Sequence, residues 1–140
     1  MADRLFDRVL LPVASEKDAA TTCRRLFERA DEIGTIVAVH VVEKAGGGID
    51  KAPVEQREEN AEAIFAVVDE HCRGTGVDVE HRILYGTDVT ETILDGADDE
   101  AASVIVFVPR ESSRWANLLT GDTAYSLITE TDRPVLVLPS

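Results

Sequence analysis

The segment from Val108 to Gly121 reads Val-Pro-Arg-Glu-Ser-Ser-Arg-Trp-Ala-Asn-Leu-Leu-Thr-Gly and concentrates the groups that could bind an anion. Arg110 and Arg114 supply guanidinium groups in a base-poor chain, and Ser112 and Ser113 supply hydroxyls. Gly121, Asp122 and Thr123 open a helical stretch whose amides could receive phosphate. A plainer reading competes: Arg110 pairs with local carboxylates while Trp115 and Leu118 anchor the loop on the core. Asp122 likewise reads as an acid satisfying the amides at a helix amino end. Elsewhere the chemistry is sparse. Cys23 and Cys72 fall on the apolar faces of two helical stretches and read as small buried hydrophobes. His40, His71 and His81 share no metal-ligand spacing, and no nucleophile motif is visible. Gly46-Gly47-Gly48 lacks the spacing of a dinucleotide loop and reads as a surface connection. The expectation is a protein with no catalytic residue and no metal.

The elements that must position this loop alternate strand and helix. Residues 8–13, 35–42, 103–108 and 134–138 are nearly continuous apolar runs, as in strands covered on both faces of a parallel sheet. Residues 77–84 begin with strict alternation, which suits an edge strand with one wet face. Helices are expected over 17–32, with Ala20, Cys23, Phe27 and Ala30 inward, and over 54–73, with Ala61, Ile64, Phe65, Val68 and Cys72 inward. A third, over 88–97, opens with the capping pattern Asp88-Val89-Thr90-Glu91. A fourth runs from near Gly121 to about Glu130 and buries Leu127 and Ile128. The result is a doubly wound α/β sheet in one domain, 1–140, with right-handed crossovers. Ligands bind such sheets beyond the carboxyl ends of the strands. That places the site among loops 12–17, 42–53, 84–88 and 108–121, with Pro12, Val13, Ala14, Val42 and Val108 as its candidate residues at the strand ends. The last strand ends the chain with nothing after Ser140 to cover it, so a symmetric dimer through Pro134, Val135, Leu136, Val137 and Leu138 is expected.

Composition narrows the classes. A chain of 140 residues buries roughly 70% of its unfolded surface and can fold on an apolar core alone. Two cysteines are too few for a disulfide scaffold or a four-thiolate zinc site. No apolar run approaches the roughly 18 residues that a span needs, and Met1-Ala2-Asp3-Arg4 is no secretory leader, so a cytoplasmic location is expected. Twenty-seven acids against fourteen bases give a net charge of −13, which repels nucleic acid and anionic membranes. Only Lys17, Lys44 and Lys51 are lysines. Dense carboxylates with little lysine suit a surface made for high salt, where their repulsion is screened within a few ångströms; an ordinary acidic surface is the alternative.

A strand ending Leu11-Pro12-Val13, the strand Val39-His40-Val41-Val42, Leu118-Leu119-Thr120-Gly121 before a helix, and the closing Arg133-Pro134-Val135-Leu136-Val137-Leu138 together resemble the universal stress protein family. The resemblance covers essentially the whole chain, and the acidic, lysine-poor composition is similar to haloarchaeal members. It implies a Rossmann-like fold of the adenine-nucleotide alpha-hydrolase type, with five parallel strands in the order 3-2-1-4-5 and helices on both faces. It also implies dimerisation through the last strand and a nucleotide cleft at the strand ends. Some members bind ATP and others do not.

Members that bind ATP carry Gly-x2-Gly-x9-Gly-Ser after the fourth strand. Anchored on Gly121, the first glycine falls on Val108, the second on Glu111 and the serine on Asp122. The family's ribose-contacting acid falls on Ala14, and a second small hydroxyl falls on Ala124, beside Thr123. Glycines let amides approach phosphate, and Val108 and Glu111 fill that space. Glu111 and Asp122 would each repel a triphosphate by several kcal/mol at about 4 Å and an effective dielectric near 20, before screening. The leading expectation is a non-enzymatic homodimer in stress response that does not bind ATP in the usual way and needs no cofactor. The alternative is ATP or AMP binding, with Mg2+, through a divergent loop built on Arg110, Ser112, Ser113, Arg114, Gly121 and Thr123. A flavodoxin-like electron carrier stacking flavin on Trp115 is a third reading.

Overall fold

The computed structural model describes residues 4–43, 53–108 and 129–139. The elements in order are β1 (Arg8–Pro12), α1 (Glu16–Arg29), β2 (Thr35–Glu43), α2 (Pro53–Cys72), β3 (Asp78–Gly86), α3 (Val89–Asp99), β4 (Val104–Phe107) and β5 (Val135–Val137). All pairings are parallel, and the sheet runs β3-β2-β1-β4-β5. Strand order therefore reverses between β1 and β4, which makes their carboxyl ends the natural crevice of the fold.

Strand alternation sorts the apolar residues onto two faces. Val9, Leu11, Val13, Ile36, Ala38, Val104, Val106 and Val108 face α1 and α2, where they meet Cys23, Leu26, Ile64, Val68 and Cys72. Leu10, Val37, Val39, Val41, Ile105 and Phe107 form the second core with Ile93 and Ala97 of α3. β1 is buried on both faces, which is why its sequence is a continuous apolar run rather than an alternating one. On β3, an edge strand, His81 stacks on Phe65 of α2 with ring centroids 4.7 Å apart. The lower part of the α3 face is closed by charge. Arg8 bonds Glu80 and Glu100, and Arg82 bonds the same two carboxylates.

Several boundaries differ from the sequence expectation, each for a physical reason. α1 stops at Arg29 rather than 32, because the chain must turn through Gly34 to reach β2. There a Cβ would lie 2.4 Å from the carbonyl oxygen of Asp7. Its inward face is centred on Ala19, Thr22, Cys23 and Leu26, while Ala20 and Phe27 are only half-buried. The stripe expected for α2 is buried as read. This helix ends in a turn whose Gly74 and Gly76 take positive φ of 79° and 82°, a conformation that favours glycine. Asp88 caps α3 by accepting the Glu91 N–H at 3.1 Å. β5 is shorter than the apolar run 134–138, and Leu138 is buried in the core of its own chain. The body of the expected fourth helix, with Leu127 and Ile128, lies outside the described residues; Thr129 and Glu130 are helical.

Candidate functional site

The crevice is built where β1 leaves the sheet. Val13 continues the ladder by donating to the Val39 carbonyl at 2.9 Å, and its own carbonyl accepts Nδ1–H of His40 at 2.8 Å. His40 is 2% exposed, so this bond welds the ends of β1 and β2 without a solvent-facing imidazole. Ala14 follows, almost fully buried, and its N–H is taken by Asp18 Oδ2 at 2.9 Å. Ser15 is extended and caps α1 by accepting the Asp18 N–H at 3.1 Å. Asp18 therefore gives its backbone to the cap and its carboxylate to the strand end, and Thr22 Oγ1 stands 3.5 Å from its other oxygen. Sequence reasoning missed Asp18; the signal was present in Ser15-x-x-Asp18, the spacing of a capping box.

The electrostatics of this end are acidic. Glu16 and Asp18 stand in the first turn of α1, and Glu91 stands in that of α3. Acids at these positions complement the helix dipoles and occupy the field an anionic ligand would otherwise use. Val42, at the end of β2, is buried. Val108, one residue past β4, is 1% exposed, and its side chain packs into the α1–α2 core with Val13 and Leu138. Pro12, Val13, Ala14, Val42 and Val108 therefore gather at one end of the sheet. Arg110, Ser112, Ser113, Arg114, Gly121, Asp122 and Thr123 lie outside the described residues. Among the described residues, no group of three or more His, Cys, Asp or Glu side chains is arranged to hold a metal ion. No described helix is long and apolar enough to cross a membrane.

The model of the universal stress protein family matches residues 5–139. The chain belongs to the universal stress protein family. Solved structures of universal stress proteins are among those it resembles. One from Burkholderia pseudomallei is 21% identical, with a TM-score of 0.72, over 99% of this chain and 100% of that one. The Archaeoglobus fulgidus universal stress protein, solved in complex with dAMP, is 17% identical, with a TM-score of 0.62, over 96% of this chain and 99% of that one. An Arabidopsis thaliana family protein, solved with AMP bound, is 14% identical, with a TM-score of 0.67, over 95% and 91%. Comparison with curated proteins finds no match. At these identities the likeness is one of fold, and it agrees with the strand order described above.

Proposed function

We propose that this universal stress protein is a non-catalytic, homodimeric regulatory protein whose strand-end crevice no longer takes ATP in the family's usual way. Val108 carries this reading. It stands where the resemblance puts the first glycine of the phosphate loop, and its branched side chain is committed to the core. A β-branched residue there favours extended backbone, so the chain is biased away from the tight turn a glycine would permit. Ala14 adds to it: the position offers no carboxylate for a ribose, and its amide is already held by Asp18. The dimer reading rests on β5, an edge strand with Val137 42% exposed and Val135 and Leu136 half-buried. The surface charge of −13 suits work at high ionic strength in the cytoplasm.

A second reading is favoured by the AMP and dAMP complexes of related folds. In it, Arg110 and Arg114 with Ser112, Ser113 and the amides from Gly121 to Thr123 replace the missing glycines. Calorimetric titration of ATP with Mg2+, and of AMP, at roughly 2 M KCl separates the two. The first reading expects no heat from either ligand and no change in Arg110→Ala or Arg114→Ala. Binding tighter than about 100 µM, equivalent to about −5.5 kcal/mol, that either substitution weakens would establish the second. For the dimer, Val137→Asp should give monomer in light scattering; an unchanged dimer would move the interface away from β5.

A further inference from the structure

β3 ends the sheet on the side away from β5, and among the described residues no strand pairs beyond it. It runs nine residues in unbroken register with β2, from Asp78 opposite Thr35 to Gly86 opposite Glu43. The Asp78 N–H donates to the Gly34 carbonyl at 3.2 Å, so the backbone groups of its even-numbered residues are spent on β2. Those of Val79, His81, Ile83 and Tyr85 point outward along the free edge. Such edges are commonly blunted by lysine, proline or a bulge, and β3 has none of these. It carries instead Glu80 and Arg82, two positions apart on the α3 side, with side chains 38% and 41% exposed. Both are fixed in place by bonds to each other, to Arg8 and to Glu100.

This edge is complementary to itself in one register. Antiparallel pairing of two copies must set outward-facing residues opposite outward-facing residues. Centred on residue 80 or 82, it places Glu80 opposite Glu80 or Arg82 opposite Arg82, like charges that oppose pairing. Centred on His81, it places Glu80 opposite the second copy's Arg82, and by symmetry Arg82 opposite the second copy's Glu80. The same register sets Val79 opposite Ile83 and brings Tyr85, 45% exposed, opposite Val77. His81 lies on the axis, but its ring is drawn back over α2, stacked on Phe65 and with Nε2 2.8 Å from Asp69 Oδ1.

We propose that β3 is a contact between copies of this chain, joined antiparallel along the edge and centred on His81, with Glu80 and Arg82 selecting the register. About six backbone hydrogen bonds link Val79, His81 and Ile83 to the second copy. A single strand-to-strand seam is small and belongs with weak contacts, with a dissociation constant of about 0.1 mM. At about 10 µM it is mostly open, so dilute light scattering reads the β5 contact alone. Together with that contact, β3 extends one sheet from dimer to dimer.

Residue-resolved amide hydrogen exchange on the full-length wild-type protein reads the edge directly. Roughly 2 M KCl screens the repulsion between copies of charge −13. Between about 0.05 mM and 1 mM protein, the amides of Val79, His81 and Ile83 should slow by about 3-fold, while those of Glu80 and Arg82, already bonded to β2, hold steady. Exchange at the three outward amides that does not change with concentration would overturn the proposal, whether or not β5 pairs and with no variant needed. Sedimentation equilibrium of Val137→Asp then tests the register. Adding Glu80→Arg or Arg82→Glu should raise the dissociation constant by about 10-fold or more, and adding both should return it to within about 3-fold. Charges that act only inside the chain would leave the double exchange the weakest associator, and that result would overturn the pairing.

Discussion

Replacing Asp18 should cost far more than an acid in the first turn of a helix ordinarily does. Its carboxylate is the acceptor for the Ala14 N–H at 2.9 Å, and the two residues are 5% and 3% exposed, so water cannot take its place. In Asp18→Ala that donor is left unsatisfied, at about 1–3 kcal/mol. Loss of the charge from the first turn of α1 adds about 0.3–1 kcal/mol. The expected sum is about 3 kcal/mol, since Ser15 still accepts the residue-18 amide and the helix cap survives. Asp18→Asn keeps an accepting oxygen of the same shape and loses only the charge, so it should cost about 1 kcal/mol. Urea unfolding followed by far-ultraviolet circular dichroism measures both. With a slope near 2 kcal/mol/M, the Ala variant should move the midpoint down by about 1.5 M and the Asn variant by about 0.5 M. Measurements at roughly 2 M KCl keep relief of carboxylate repulsion from masking the loss. An Ala variant within about 0.5 kcal/mol of wild type, or an Asn variant as damaged as Ala, would refute the role given to this carboxylate.

Two further substitutions test the frame that holds the crevice. Gly34→Ala places a Cβ 2.4 Å from the Asp7 carbonyl oxygen, the oxygen that accepts the Thr35 N–H at 3.0 Å at the start of the β1–β2 pairing. Backbone cannot rotate away, so a loss of about 2–4 kcal/mol is expected in the same urea assay, and a neutral result would contradict the packing of that turn. Glu80 supplies the pH dependence. Its hydrogen bond from Arg8, with Arg82 beside it, holds its carboxyl below the usual 4.5, so the folded state binds that proton less readily than the unfolded chain. The stability this contributes is present above pH 4.5 and is lost as pH falls through the lower folded value. Glu80→Gln should therefore differ from wild type at pH 6 and converge on it as the pH falls below 4.5, read from urea midpoints; parallel curves across that range would show the pair to be inert.

What could be read from the sequence followed from patterns with one physical cause. Residues 9–13 and 104–108 are apolar throughout because both faces of those strands are covered, and the edge position of β3 was visible in the alternation of Val77, Val79 and His81 with their polar neighbours. The α2 stripe was equally plain, since a helix against a sheet must repeat its apolar face every three to four residues. α1 was read one position out because its inward face includes Thr22 and the carboxylate of Asp18, polar groups that enter the core only with partners that the fold supplies.

The crevice itself turns on that same distinction between direction and partnership. The family resemblance marks Ala14 as a position lacking a carboxylate, and Asp18, four residues on, was not singled out from sequence. In the fold these are one feature, because the first turn of α1 brings the Asp18 carboxylate back onto the Ala14 amide. Position 14 is buried in the core shared with α3, and the acid at position 18 is consumed by the backbone it holds. On the reading proposed above, the absence of an acid at 14 and the commitment of the acid at 18 bear on function together. Restoring a carboxylate at position 14 alone would place a second negative charge beside a buried first one, at a cost of a few kcal/mol at short range and an effective dielectric near 20. The burial of Val108 in the core adds an independent packing cost to any return of the glycine turn. On the reading proposed above, single substitutions at Ala14, Asp18 or Val108 should lower stability before they yield any affinity for nucleotide.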